Sequence, residues 1–374
     1  MKGWRGMTKQ FDEMIINVGP QHPSTHGVLR LILKLDGEKI VDCKPNVGYL
    51  HRGIEKMAEN RSYLQYLPIV DRIDYLGGFF NAYAYCDCIE KMANIEVPEK
   101  AQYIRVLCME LNRIASHLLW LGTYLLDLGA TSPLFYCFRD RERILHIFEK
   151  LTGQRMMYNY FTFGGVKHDV SKDILDEISD FVNDMPNCIE DYEKIITNNP
   201  IFKSRTFNKG ILTKNKALQY SITGANLRAS GVSLDFRKSM PYLVYDKLAF
   251  DISGEIEGDS HARYRARIFE LYSSLEIIKQ CIYYLKISTE SFENKVNPVN
   301  LNIIDKEYTS IVEAPRGLTK CTVKAGGRKP YRVKWRTGSY YAVQVLPELV
   351  INSELADLMA IFGSLDVILP EVDK

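Results

Sequence analysis

Nine residues near the amino terminus, Gly19-Pro20-Gln21-His22-Pro23-Ser24-Thr25-His26-Gly27, hold two of the chain's seven histidines together with two prolines and two glycines. Proline and glycine bend and stiffen a loop, so its side chains keep to a narrow set of positions. An imidazole on such a tip is a proton donor or acceptor near neutral pH. Further along stand His51-Arg52 and then Asp71-Arg72-Ile73-Asp74-Tyr75, ahead of two glycines. Taken singly, these residue types are more often structural: a loop histidine caps a carbonyl, and a tyrosine packs with its hydroxyl in water. Arg52 and Arg72 by default form surface ion pairs of little energetic weight.

A third constellation lies in EKAQYIRVLCMELNRIASHLLWLGTYLLDLGA. Glu110, Arg113, His117, Trp120, Tyr124 and Asp127 follow at spacings of three, four, three, four and three. At roughly 100° per residue they form one helical stripe about 100° wide. Leu107, Ile114, Leu118, Leu121, Leu125 and Leu128 flank it, so the polar line runs beside apolar surface and needs partners. Such a seam is most often a mutually satisfied ion-pair network in a bundle core; the alternative is a place where protons move. DRERILHIFEK, from Asp140, reads as a salt-bridged helix face.

The eight cysteines are scattered and include no C-x-x-C pair, which disfavours zinc or iron–sulfur binding by this chain and leaves buried thiols. The chain is 46% hydrophobic and 25% charged with a net charge of +2, the composition of a folded protein and not of a nucleic-acid binder. The apolar run from Leu118 to Ala130 is shorter than the ~20 residues of a membrane span. The opening MKGWRGMTKQ is too short for a transit peptide, so the chain is either made where it works or given without a leader.

Elements must bring these groups together. Residues 13–45 read as strands, with Leu29, Leu31, Leu33 and Leu35 alternating against Val28, Arg30, Ile32 and Lys34, and DGE as a hairpin turn. The stretch from Gly53 to Lys286 is mainly helical, in runs broken at Pro68, Pro98, Pro133, Pro200 and Pro241. Strand-like TSIVEA, CTVKAGG and YRVKW return after Asn297, followed by the helical LPELVINSELADLMAIFGSLD. This order predicts an α+β protein in three parts: an N-terminal β-domain with the hairpin loop (1–52), a central helical bundle (53–296) and a C-terminal α/β segment (297–374).

The blocks GPQHPSTHGVLRL, GYLHRGIEKMAENRSYLQYLP, DRIDY, LNRIASHLLWLGTYLLDLGATSP, FRDRE, TGQRM, FGGV, LRASGVSLDFRKSMPYLVYD, RYRAR, EAPRG, PYRVK and EVDK occur in order over nearly the whole chain. They resemble the 49-kDa-type subunit of respiratory NADH:ubiquinone oxidoreductase, complex I. The resemblance implies a fold like the large subunit of nickel–iron hydrogenases, with a quinone headgroup where those enzymes hold metal. Their two C-x-x-C pairs, one near His51-Arg52 and one near the carboxyl terminus, are missing, so no metal is expected in this chain. Residue by residue, His26 matches the family's hairpin histidine, Tyr75 the tyrosine facing it, and Asp127 the acid linked to that histidine. His26 and Tyr75 would protonate ubiquinone as it is reduced, with Asp127 favouring the protonated imidazole. Arg52 and Arg72 match arginines beside the terminal iron–sulfur cluster, held by an adjacent subunit, and His22 fixes the loop.

The implied partners are that iron–sulfur subunit, other hydrophilic-arm subunits, and a membrane-arm subunit forming the quinone channel, with this chain peripheral to the membrane. The Lys, Asn, Ile and Tyr content favours the mitochondrial inner membrane, matrix side, over the cytoplasmic face of a bacterial plasma membrane. The alternatives are the quinone-site subunit of the photosynthetic ferredoxin-dependent relative, or a non-catalytic scaffold. Three departures stand out. Met157 replaces a histidine near the cluster, the stretch between Lys286 and Glu313 is about 30 residues short, and Pro370 replaces a glycine.

Overall fold

Period-two alternation makes the first element a three-stranded antiparallel sheet of β1 (Met14–Val18), β2 (Arg30–Asp36) and β3 (Lys39–Asn46), in that order. The structure, a computed structural model, describes residues 14–20 and 27–374, and the His22 and His26 expectations fall at 21–26, outside the described residues. Leu29, Leu31, Leu33 and Leu35 are buried on one face, as their spacing requires. Gly37, at φ 62°, makes the turn between β2 and β3.

A run of helices follows: α1 (Ile54–Ala58), α2 (Tyr63–Val70), α3 (Gly78–Ala93), α4 (Glu99–Asp127), α5 (Ser132–Thr152), α6 (Lys172–Tyr192), α7 (Pro200–Thr206), α8 (Lys214–Gln219), α9 (Ala225–Arg228), α10 (Phe236–Ser239) and α11 (Ser260–Ile287). The small hairpin β4 (Phe161–Thr162) and β5 (Gly165–Val166) interrupts them. Pro98, Pro133 and Pro200 stand at helix starts, where the missing N–H costs nothing. Pro68 differs from its expected role as a break, because α2 continues through it to Val70. Its carbonyl instead accepts a hydrogen bond from the Arg72 guanidinium. The long α4 packs on α5 and α11 and carries the polar stripe.

The last segment divides. Strands β6 (Glu307–Ala314), β7 (Gly317–Ala325) and β8 (Pro330–Arg336) form an antiparallel sheet. Its inner residues Val312, Cys321, Val323 and Trp335 join the bundle core with Tyr66 and Tyr85. Helices α12 (Gly338–Val350), α13 (Leu358–Ser364) and α14 (Leu369–Asp373) pack instead against the N-terminal sheet, burying Leu346, Phe362 and Leu369 with Leu31 and Leu33. The carboxyl terminus is thereby carried back to the base of the hairpin.

Between these cores the bundle interior is ionic. Glu110 accepts from Arg113 (3.1 Å), Arg237 (3.2 Å), Tyr245 (2.6 Å) and Ser274 (2.6 Å). Burial alone would raise its carboxyl, yet Arg113 and Arg237 hold it down at about 2. Arg228 contacts Glu270, Glu313 (2.8 Å) and Asp235 (3.6 Å), and His117 meets Glu270 at 2.7 Å. Trp120 and Tyr124 donate to the carbonyls of Gly363 (2.7 Å) and Ala360 (3.1 Å) in α13. The stripe is therefore the satisfied network of a bundle core along most of its length.

Removing one member of a buried network strands the charges left behind. Arg228→Leu should lower unfolding stability by about 3–5 kcal/mol in chemical denaturation of the purified chain. Lys194→Ala, which breaks exposed pairs with Asp191 and Glu190, should leave it nearly unchanged.

Candidate functional site

Tyr75 lies in the turn between α2 and α3, half-buried, and its neighbour Asp74 shapes that turn. The Asp74 carboxylate accepts from the Leu76 N–H at 3.0 Å. A Cβ on Gly77 would stand 2.6 Å from Asp74 Oδ2, so only glycine lets the acid fold back. Asp74 also receives Arg316 Nη1 at 2.8 Å. Arg316 sits in the turn joining β6 and β7, and its other nitrogen reaches Ser116 Oγ on α4 (3.1 Å) and Asp366 Oδ1 (3.4 Å) after α13. Four separated segments thus meet at one guanidinium.

The turn carrying Arg316 is wedged in place. A Cβ on Gly338, at the start of α12, would lie 2.0 Å from the Arg316 carbonyl oxygen. The same helix start holds Glu371, whose carboxylate accepts from the Gly338 N–H (3.1 Å) and from the Ser339 hydroxyl. Thr337 Oγ1 donates to the Glu371 carbonyl at 2.9 Å. Burial first, and the charge of Asp74 second, push the Glu371 carboxyl up to about 7, against the pull of Arg316. A buried acid near neutrality therefore stands beside the Asp74–Arg316 pair. Burial also raises the Tyr75 phenol, opposed by Arg316 and Arg141 and reinforced by Asp74. The phenol keeps its proton and can donate it.

Backbone contacts tie the tail to the hairpin side. The Gly48 and Leu50 N–H groups donate to the two oxygens of Asp373, each at 2.8 Å, and His51 Nδ1 meets the Asp373 carbonyl at 2.6 Å. Gly27, the first described residue after the loop, lies against this tail: a Cβ there would be 3.1 Å from Leu369 Cβ. Arg52 differs from its default as a surface ion-pair partner. It donates to three carbonyls, Leu50 (3.1 Å), Arg72 (2.7 Å) and Pro370 (2.7 Å), and so joins the strand exit, the end of α2 and α14.

Arg52 and Arg72 are thus brought together, with Tyr75 three residues on. Met157 approaches the same turn from another side, since the Asn159 N–H donates to Asp71 Oδ2 at 3.0 Å and Tyr158 stacks on Phe79 at 4.1 Å. Asp71 is buried, and burial lifts its carboxyl to about 7 despite that hydrogen bond and the charges of Arg72 and Lys167. Asp127 is half-buried at the end of α4, eleven residues or about 16 Å of helix beyond Ser116. Among the described residues, no group of three or more His, Cys, Asp or Glu side chains is disposed to hold a metal ion.

The comparisons with known proteins bear on this arrangement. A family model described as the 49-kDa subunit of respiratory-chain NADH dehydrogenase matches residues 127–374. The D-type subunit of NADH-quinone oxidoreductase from Geobacillus kaustophilus is 47% identical over 368 residues, covering 98% of this chain and 100% of that protein. The chain belongs to the 49-kDa subunit family of respiratory NADH dehydrogenase. The corresponding protein of Geobacillus thermodenitrificans is 48% identical over 363 residues (97% of this chain, 99% of that protein), and a D-type member from Symbiobacterium thermophilum 44% over 377 (97% and 98%). The Geobacillus kaustophilus member, wholly covered by 368 aligned residues, leaves no room for an extra 30-residue segment. The expected shortening before Glu313 is thus shared with this 49-kDa subunit relative and is no peculiarity of this chain.

The sequence motif marks Tyr75 as a candidate and gives no role to Asp74, Arg316, Asp366 or Glu371. Asp74 had a signal, an acid three residues before a glycine as in an Asx turn. Glu371 was visible only as part of a tail lacking cysteine.

Folded Glu371 keeps its proton up to about pH 7, whereas the unfolded residue loses it near 4.5. Its contribution to stability is complete below 4.5 and lost as pH rises through about 7. Across that window the unfolding free energy should fall by about 1.4 kcal/mol per pH unit relative to Glu371→Gln. Denaturation curves at several pH values check this, and parallel profiles for the two proteins would contradict it.

Proposed function

We propose that this chain forms the quinone-headgroup site of a proton-pumping NADH:quinone oxidoreductase, and that Tyr75 and His26 protonate the quinone as electrons arrive from an iron–sulfur cluster in the adjacent subunit. The observation that supports this most is Tyr75 held at the edge of the buried Asp74–Arg316–Glu371 cluster. Quinone takes up two electrons and two protons to become quinol. The raised phenol of Tyr75 supplies one proton, His26 the other, and Asp127 is the acid linked to His26. Arg316 steadies the negative charge that builds on the oxygens. His22 fixes the loop, and Arg52 and Arg72, joined at the end of α2, stand beside the cluster and raise its potential by their charge.

The hydrogenase-like fold belongs to the same reading, as does the polar stripe of α4 as a route for charge. The enzyme activity is that of the assembly, since this chain carries neither an NADH site nor a cluster of its own in this reading. A membrane-arm partner fits the apolar surface beside Asp127, where Leu126, Phe135, Tyr136 and Phe138 are exposed. No helix among the described residues is long and apolar enough to cross a membrane. The named relatives are bacterial, which favours the cytoplasmic face of a plasma membrane over the mitochondrial matrix side. Their names, NADH-quinone oxidoreductase, favour the respiratory reading over a ferredoxin-dependent relative or a scaffold.

In the native assembly, Tyr75→Phe should lower inhibitor-sensitive quinone reduction about 100-fold or more while NADH oxidation by an artificial acceptor persists. Unchanged quinone turnover would remove Tyr75 from the chemistry. Met157 cannot titrate, so any pH dependence of the neighbouring cluster's midpoint potential that a histidine at this position, titrating near ~6.5, would confer should be absent. Met157→His should introduce a slope of up to about 59 mV per pH unit in a potentiometric titration.

A further inference from the structure

Charge in this protein is distributed unevenly. Between Lys306 and Arg336 there are nine lysines and arginines against two glutamates, although the whole chain carries only +2. Glu313 and Arg316 are buried, so the excess lies on the outer face of the β6–β7–β8 sheet. Thr319, Cys321, Val323 and Ala325 of β7 point inward, which turns Lys320, Thr322 and Lys324 outward. The register sets Lys320 opposite Arg336, Thr322 opposite Lys334 and Lys324 opposite Arg332. Like charges facing each other across a ladder destabilise a sheet.

The protein offsets part of this itself. Glu55 of α1 and Glu59, just past its end, pair with Arg332 (3.3 and 2.9 Å), and Glu55 also pairs with Lys334 (3.0 Å). Arg336 donates to the carbonyls of Leu318 (2.8 Å) and Ser221 (2.7 Å) and lies over the Tyr341 ring at 4.2 Å. Among the described residues, Lys320, Lys324 and Lys374 form no ion pair. A groove of about 750 Å³ runs along this face, lined by Lys320, Lys334, Arg336, Tyr340, Tyr341 and Lys374.

We propose that this groove and the basic face beside it dock an extended acidic segment of a neighbouring subunit. The cationic rows recur every second residue of β7, about 7 Å apart, the repeat at which an extended strand presents side chains to one side. An acid at alternate positions of the partner would meet each row in turn. One lipid phosphate would reach a single row only, whereas Lys320 and Lys324, four residues apart on β7, form no ion pair among the described residues. The tyrosines and arginine at the groove fit an interface centre, where such residues are enriched. The inference rests on membership of the multi-subunit assembly proposed above.

The test uses the intact purified assembly. Carbodiimide, which joins an amine to a carboxylate without a spacer, should link Lys320, Lys324 or Lys374 to Asp or Glu of another subunit, read by peptide mass mapping. Acylation of Lys324 and Lys334 should be at least about tenfold slower than in the denatured chain, a factor far beyond what an exposed lysine shows; Lys334 is 65% exposed in the chain itself. A Lys320→Glu/Lys324→Glu double variant should lose those links and release the partner at lower salt. Free acylation in the intact assembly, with no inter-subunit link, overturns the proposal. So does protection that vanishes on phospholipase or nuclease treatment. If the chain fails to co-purify with the oxidoreductase, the proposed function falls as well; if it co-purifies unlinked, only this inference does.

Discussion

A single buried guanidinium sets the geometry of the site. Arg316 meets Asp74 from the turn after α2, Asp366 from the loop after α13 and Ser116 from the middle of α4. A charge taken out of water is tolerated only when such partners surround it, so the turns delivering those partners have little freedom. Gly77, Gly317 and Gly338 are the backbone side of that constraint, because each has a neighbour too close for a Cβ. Tyr75 takes its position from this knot, being the residue next to Asp74.

The same cluster decides where a proton can rest. Burial, together with the charge of Asp74, raises the Glu371 carboxyl to about 7, so a proton can rest there. Deeper in the bundle the balance is reversed. Glu110 is outnumbered by Arg113 and Arg237 and stays ionised, and Glu270 is held well below its ordinary value by Arg228 and His117 despite its burial. The interior around Glu110 and Glu270 is thus electrostatically locked, while Glu371, in the cluster beside Tyr75, can change charge. That contrast suits a site where redox chemistry must couple to proton uptake without unpicking the core.

Much of the scaffold could be read from the chain. Strands β1 to β3 and β6 to β8 announced themselves through period-two alternation, and the α4 stripe through period 3.6. The partners of that stripe could not be read, since Glu270 and Gly363 come from 153 and 243 residues away in sequence from His117 and Trp120. Pro68 looked like a break, but only two residues of α2 lie beyond it. Tyr75 was identified through a family motif, whereas Glu371 needed the tail folded against α12 before its burial meant anything. Arg52 looked like a surface charge because nothing in the sequence shows three carbonyls converging on it.

The central claim is spatial, that a quinone headgroup is protonated where the hairpin, Tyr75 and the carboxyl-terminal tail converge. The most direct measurement is a high-resolution structure of the intact assembly with a quinone bound. The account predicts a headgroup oxygen at hydrogen-bond distance, about 2.7–2.8 Å, from the Tyr75 hydroxyl, with His26 at the opposite oxygen. A headgroup seated away from both, with Tyr75 pointing into packed protein, would contradict it.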